Sequence, residues 1–183
     1  MSHSVFVLLF RGINVGGNKI VRMEKLRDVL TEAGFSNVAT YIQSGNVILT
    51  SDQDAAHIAA TVEETFPIAF GFSSRPTVRS REAWLRIIEE NPFAQVMQDG
   101  RQVHAVILDE GPAEAAVQAL QTLASTEGIE LRDGVLYLHT PDGFGRSEVA
   151  KALDRTLKVP LTARNWNTVL KLSEMADALA PSA

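Results

Sequence analysis

The stretch IELRDGVLYLHT, residues 129–140, decides how this chain folds. Two short runs rich in β-branched and aromatic residues flank Asp133-Gly134. An Asp-Gly pair in that setting predicts a two-residue β-hairpin, because both central positions need positive φ. A second stretch, NVATYIQSGNVILTS at 37–51, has the same form, and Ser44-Gly45 is read as its two-residue loop. Two hairpins of one design suggest that the elements around them are repeated as well.

Working outward from each hairpin, the same order emerges. Before the earlier one lie a continuous apolar strand, SVFVLLFR at 4–11, and a helix over 23–33 stopped by Gly34. After it come a helix from the N-cap Asp54 to about Phe70, a strand at 75–80 and a helix over 81–90. The later hairpin has a strand at 103–109 and a helix over 113–124 before it. A helix at 147–157, a strand at 160–164 and a helix at 166–179 follow it. Both halves read β-α-β-β-α-β, then α. The expectation is an α+β chain of two ferredoxin-like (split βαβ) subdomains from an internal duplication, each antiparallel sheet backed by helices. The boundary falls in NPFAQVMQDG (91–100), giving subdomains over 1–95 and 96–183.

Composition narrows the function. At 183 residues and 45% hydrophobic, the chain can bury a substantial core. A net charge of −5 argues against a protein that mainly coats nucleic acid or anionic membrane. The absence of cysteine excludes thiolate catalysis and sulfur-ligated zinc, and the four histidines lack metal-ligand spacing, so no metal and no cofactor is expected. The apolar run at 5–10 has no basic flank and reads as a strand rather than a leader. No segment is long enough to span a bilayer, and a cytoplasmic location is the expectation.

Two loop regions hold the candidate functional residues. In FRGINVGGNK (10–19), Gly12 and Gly17 have the spacing of a phosphate loop, but Lys19 comes one place late and Ile20 stands where a hydroxyl is needed. This register argues against nucleotide hydrolysis by that route. Two readings stay open: an anion-binding nest of backbone N–H groups helped by Arg11 and Lys19, or a loop whose glycines allow positive φ. The ferredoxin-like strand order, 4-1-3-2, places this loop beside the second turn, so Arg11, Asn14, Gly16, Gly17, Ser44 and Asn46 form one candidate cluster. Ser44 lacks the frame of a hydrolase nucleophile. The same order gathers PDGFGRS (141–147) and RNWNT (164–168), making Arg146, Arg164, Asn165 and Asn167 a second cluster. Asn165 or Asn167 could equally cap a helix, with Trp166 in the core.

Arginines and amides at loop edges suit a small anionic or planar polar metabolite. Two alternatives stand beside this reading. An RNA or single-strand module would use the strand aromatics Tyr41 and Tyr137, though the charge makes nucleic acid an unlikely partner. A homodimer could form through edge strands. Taken together, LLFRGINVGGNKIVRMEKLRDVL (8–30), TYIQSGNVIL (40–49), PDGFGRSEVAKAL (141–153) and TARNWNTVLKL (162–172) resemble the DUF1697 family, largely bacterial proteins without assigned function. The resemblance runs from Val5 to Met175. It implies two ferredoxin-like subdomains and supplies no catalytic residues. It also implies a lysine after the serine of the GRS motif, where this chain has Glu148, which weakens any strongly cationic site there.

Overall fold

The first apolar run forms β1 (Ser4–Leu9), in which every residue after Ser4 is buried. A strand with no polar alternation has both faces covered. The computed structural model describes residues 3–180. After β1 come α1 (Met23–Glu32), β2 (Ser36–Tyr41), β3 (Asn46–Ser51), α2 (Ala55–Phe70), β4 (Thr77–Ser80) and α3 (Arg81–Glu89). The second half runs β5 (Val103–Leu108), α4 (Glu114–Leu123), β6 (Gly128–Arg132), β7 (Val135–His139), a 3-10 turn (Phe144–Arg146), α5 (Glu148–Leu157), β8 (Leu161–Asn165) and α6 (Trp166–Leu179). Two four-stranded sheets result, β2-β3-β1-β4 and β6-β7-β5-β8. All neighbours are antiparallel. The α+β architecture and the strand order expected from the sequence are both present.

The chain divides into two compact units. One comprises the residues up to Leu85 together with those from Lys171 onward, and the other is Arg86–Leu170. Specific bonds account for the residues on each side of these limits. Tyr137 Oη donates to the Ile87 carbonyl at 2.9 Å, and Arg132 Nη1 donates to that of Glu90 at 2.9 Å, inside the second unit. Arg81 Nε donates to Asp177 at 2.7 Å inside the first. The second unit therefore begins within α3, ahead of the 91–100 segment.

In the first unit Phe6 and Leu8 on β1 and Val47 and Leu49 on β3 pack beneath α1 and α2, with Leu26, Ile58 and Phe66 among the contacts. In the second, Val106, Leu136 and Leu138 pack under Leu120 of α4 and Leu153 of α5. The opposite faces, Val5, Val7 and Ile48 in one sheet and Val103, Ala105 and Tyr137 in the other, are equally buried. No helix among the described residues is long and apolar enough to cross a membrane.

The two hairpins differ. Asp133 (φ 41°) and Gly134 (φ 76°) form the expected two-residue turn between the paired residues Arg132 and Val135. The β2–β3 connection is instead four residues, 42–45, between the paired Tyr41 and Asn46. Asn46 explains the longer loop: its Nδ2 donates to the Tyr41 carbonyl at 3.1 Å and to Ser44 Oγ at 2.9 Å, closing the turn from within.

Candidate functional site

Register brings the first cluster together. Leu9 pairs with Asn46, and the Phe10 N–H donates to the Gly45 carbonyl at 2.8 Å, so the loop leaving β1 starts against the β2–β3 turn. The loop is a miniature hairpin. Val15 and Asn18 bridge across Gly16 (φ 59°) and Gly17 (φ 76°), so the two glycines form a turn. Asn14 anchors the root of this hairpin. Its Nδ2 donates to the carbonyls of Val21 (2.9 Å) and Gln43 (2.8 Å), and its Oδ1 accepts from the Val21 N–H at 2.8 Å. Asn46 is fully buried in its own turn. Both amides are thus spent on holding two loops together, and Arg11, Gly16, Gly17 and Ser44 are the exposed members of the cluster.

The second cluster divides. β7 and β8 both end beside the start of β5, with Val103 opposite His139 and His104 opposite Asn165. Asn165 is the helix cap, accepting the Thr168 N–H at 2.9 Å. Trp166 is 4% exposed, so its indole cannot stack on a ligand. Arg164 lies along its own strand, donating to Thr162 Oγ1 and the Ala163 carbonyl at 2.8 Å each, and burial lowers its pKa to about 10. Asn167 sits against Gly100, where an added Cβ would come 2.1 Å from its Oδ1. Tyr137 has no exposed surface, which removes one of the two aromatics that a base-stacking platform would need.

Arg146 belongs to a different place. It lines a cleft of about 290 Å³ together with Ser125, Thr126, Glu127, Asp142 and Ser147. Ser147 caps α5 by accepting the Ala150 N–H at 3.1 Å, and its hydroxyl donates to Glu127 Oε1 at 2.9 Å. Glu127 Oε2 accepts the N–H groups of Ser125 (3.0 Å) and Thr126 (3.2 Å) and the Ser125 hydroxyl (3.3 Å). The Ser125 N–H is the main reason that this carboxyl lies at about 2, with the Ser147 hydroxyl adding to it. At the rim, Thr126 Oγ1 donates to Asp142 Oδ2 at 3.3 Å, and Glu148 is paired with Lys151 at 2.6 Å. No ion pair engages Arg146 among the described residues.

Arg146 is at the helix start expected from the sequence, whereas Ser125, Thr126 and Glu127 are cleft residues that carried no expected role. A signal for them exists. Gly128 pairs with His139, so the loop entering β6 must meet the loop leaving β7. The polar run STE at 125–127 therefore faces PDGFGRS, a consequence of hairpin register alone.

Beneath the 3-10 turn the Phe144 ring stacks on His104 at 4.0 Å between centroids. His104 Nδ1 is buried without a partner, and burial lowers its pKa from 6.5 to about 4. His104 and Glu127 titrate in two different pH windows, the lower of which is shared by Asp99, held at about 2 by the hydrogen bond from Arg101. Between pH 6.5 and about 4 the unfolded chain holds a proton on His104 that the folded chain lacks, so stability falls as pH drops through that interval. The Glu127 contribution is fully present above pH 4.5 and is lost as pH falls toward about 2. Urea midpoints measured against pH should show His104→Leu flattening the upper window and Glu127→Gln the lower. An unchanged slope in either variant would contradict the assignment.

Among the described residues no group of three or more His, Asp or Glu is placed to hold a metal ion. Two antiparallel four-stranded sheets in split βαβ order, each backed by helices, define the class as a two-unit α+β protein of ferredoxin-like halves. A family model described as "Protein of unknown function (DUF1697)" matches residues 3–137, and the chain belongs to that family. It is similar in structure to the conserved bacterial protein SP0830 from Streptococcus pneumoniae, with a TM-score of 0.74 at 26% identity, covering 96% of this chain and 99% of that one. No curated protein matches the chain.

Proposed function

We propose that the protein binds a small ligand bearing an anionic group in the cleft between residues 123–127 and 140–148 of the second unit. The observation that carries this reading is Arg146, a guanidinium lining the cleft with no ion pair among the described residues, while its acidic neighbours Glu127 and Glu148 are already engaged. A guanidinium presents paired N–H donors that match a carboxylate or phosphate. The start of α5 lies beside it and adds the positive end of a helix dipole. The volume is near the lower limit of small-molecule sites, which favours a metabolite-sized ligand over a dinucleotide. Arg11 and Arg164 carry less of this reading, because the amides predicted to act with them hold the fold together.

A metabolite library screened by thermal shift tests the reading. Ligand at about 100 times its dissociation constant stabilises the folded state by roughly 2.7 kcal/mol, a shift of a few degrees. The expected result is a set of anionic compounds that raise the melting temperature of the wild type and leave Arg146→Ala unmoved. Equal responses from both proteins to every compound would remove the cleft as the site.

A further inference from the structure

Resting on that reading of the cleft, we infer that its ligand is a zwitterion of amino-acid size, its carboxylate held by Arg146 and its ammonium by Asp142. Both residues line the cleft, Asp142 ahead of the 3-10 turn and Arg146 at its end, and no ion pair joins them among the described residues. Opposite charges that share a cavity without pairing leave separate sites for the two ends of a ligand. Asp142 is poorly satisfied: the one bond to its carboxylate is the 3.3 Å contact from Thr126 to Oδ2, and Oδ1 accepts none among the described residues.

The charge balance points the same way. Lys151 neutralises Glu148, so Glu127 and Asp142 outweigh Arg146 by one negative charge. A phosphate monoester, with close to two negative charges, would be repelled by that excess, whereas a ligand bringing its own ammonium offsets it. The cavity also has an apolar wall in Leu123, whose side chain is 45% exposed, suited to an aliphatic side chain on the ligand. At about 290 Å³ the space takes an amino acid more readily than a nucleotide.

The test is an NMR and calorimetric titration of the full chain with the common L-amino acids, inorganic phosphate and acetate. For each amino acid that binds, its N-acetyl derivative and its decarboxylated amine are titrated as well. At least one amino acid should shift the amide resonances of 123–127 and 140–148, with both derivatives binding at least ten-fold more weakly. Asp142→Asn should reduce binding of the free amino acid and leave the N-acetyl derivative unchanged. Arg146→Ala should weaken both carboxylate-bearing compounds and spare the amine. Circular dichroism confirms that both variants are folded, as expected for exposed positions. If phosphate or acetate binds through Arg146 and no amino acid does, the zwitterion inference falls while the cleft reading stands. An N-acetyl derivative that binds as well as its parent also overturns the inference. If nothing in the panel perturbs these residues, both fall.

Discussion

Replacing Phe66 by alanine should lower the stability of the first unit by about 3–5 kcal/mol, the usual cost of truncating a buried aromatic. Phe66 is 1% exposed and stands among three other rings. Its centroid is 5.3 Å from Phe10 in a stacked arrangement, 4.5 Å from Phe70 and 5.3 Å from Phe72, which meets it edge-on. These rings come from the residue just after β1, from α2 and from the segment after α2, so alanine would leave a void that no single backbone shift can close. Phe66→Leu keeps most of the volume and should cost less than half as much. Urea unfolding followed by circular dichroism measures both, and an alanine variant within 1 kcal/mol of wild type would show that the ring cluster is not packed as described.

Gly45→Ala should cost about 2–5 kcal/mol, through two effects that a second glycine separates. Gly45 has φ 77°, where a side chain costs about 1–2 kcal/mol in strain. A Cβ there would also meet Ile13 Cδ1 at 2.7 Å and Phe10 Cβ at 2.8 Å. The Ile13 methyl ends a flexible chain, but Phe10 Cβ is fixed to the backbone, so overpacking adds about 1–3 kcal/mol. Gly134 has nearly the same φ, 76°, yet its nearest neighbour would be the Leu108 carbonyl oxygen at 4.0 Å. Gly134→Ala should therefore show the strain alone. The difference between the two denaturation midpoints reads the close approach of the β1 loop to the turn, and equal losses would refute that approach.

This contrast illustrates which features were readable in the linear chain. Asp133-Gly134 identified its hairpin because the conformation that turn demands is a property of two residues. Ser44-Gly45 resembled it in sequence, but the turn extends back to Ile42, since the Asn46 amide bonds Tyr41 and Ser44 across the loop. Arg146 was recognisable as a charge at a helix start. The spending of Asn14 on Val21 and Gln43 could not be read, because the Gln43 partner is 29 residues away. The sequence leaves Trp166 open to either core or ligand, and its burial resolves the choice.

By itself the sequence determined the elements, their order in both halves and the loops that share an edge. Period, turn chemistry and hairpin register are local, and register carries local pattern into sheet topology. Tertiary structure decided which polar groups are available. A hydrogen bond is satisfied by whatever partner the fold supplies, as Ser147 supplies Glu127 across 20 residues. Amides that looked like ligand contacts became struts of the fold, and an unremarked STE run became one wall of the cleft. Arg146 kept its candidacy because no counter-charge among the described residues was folded against it.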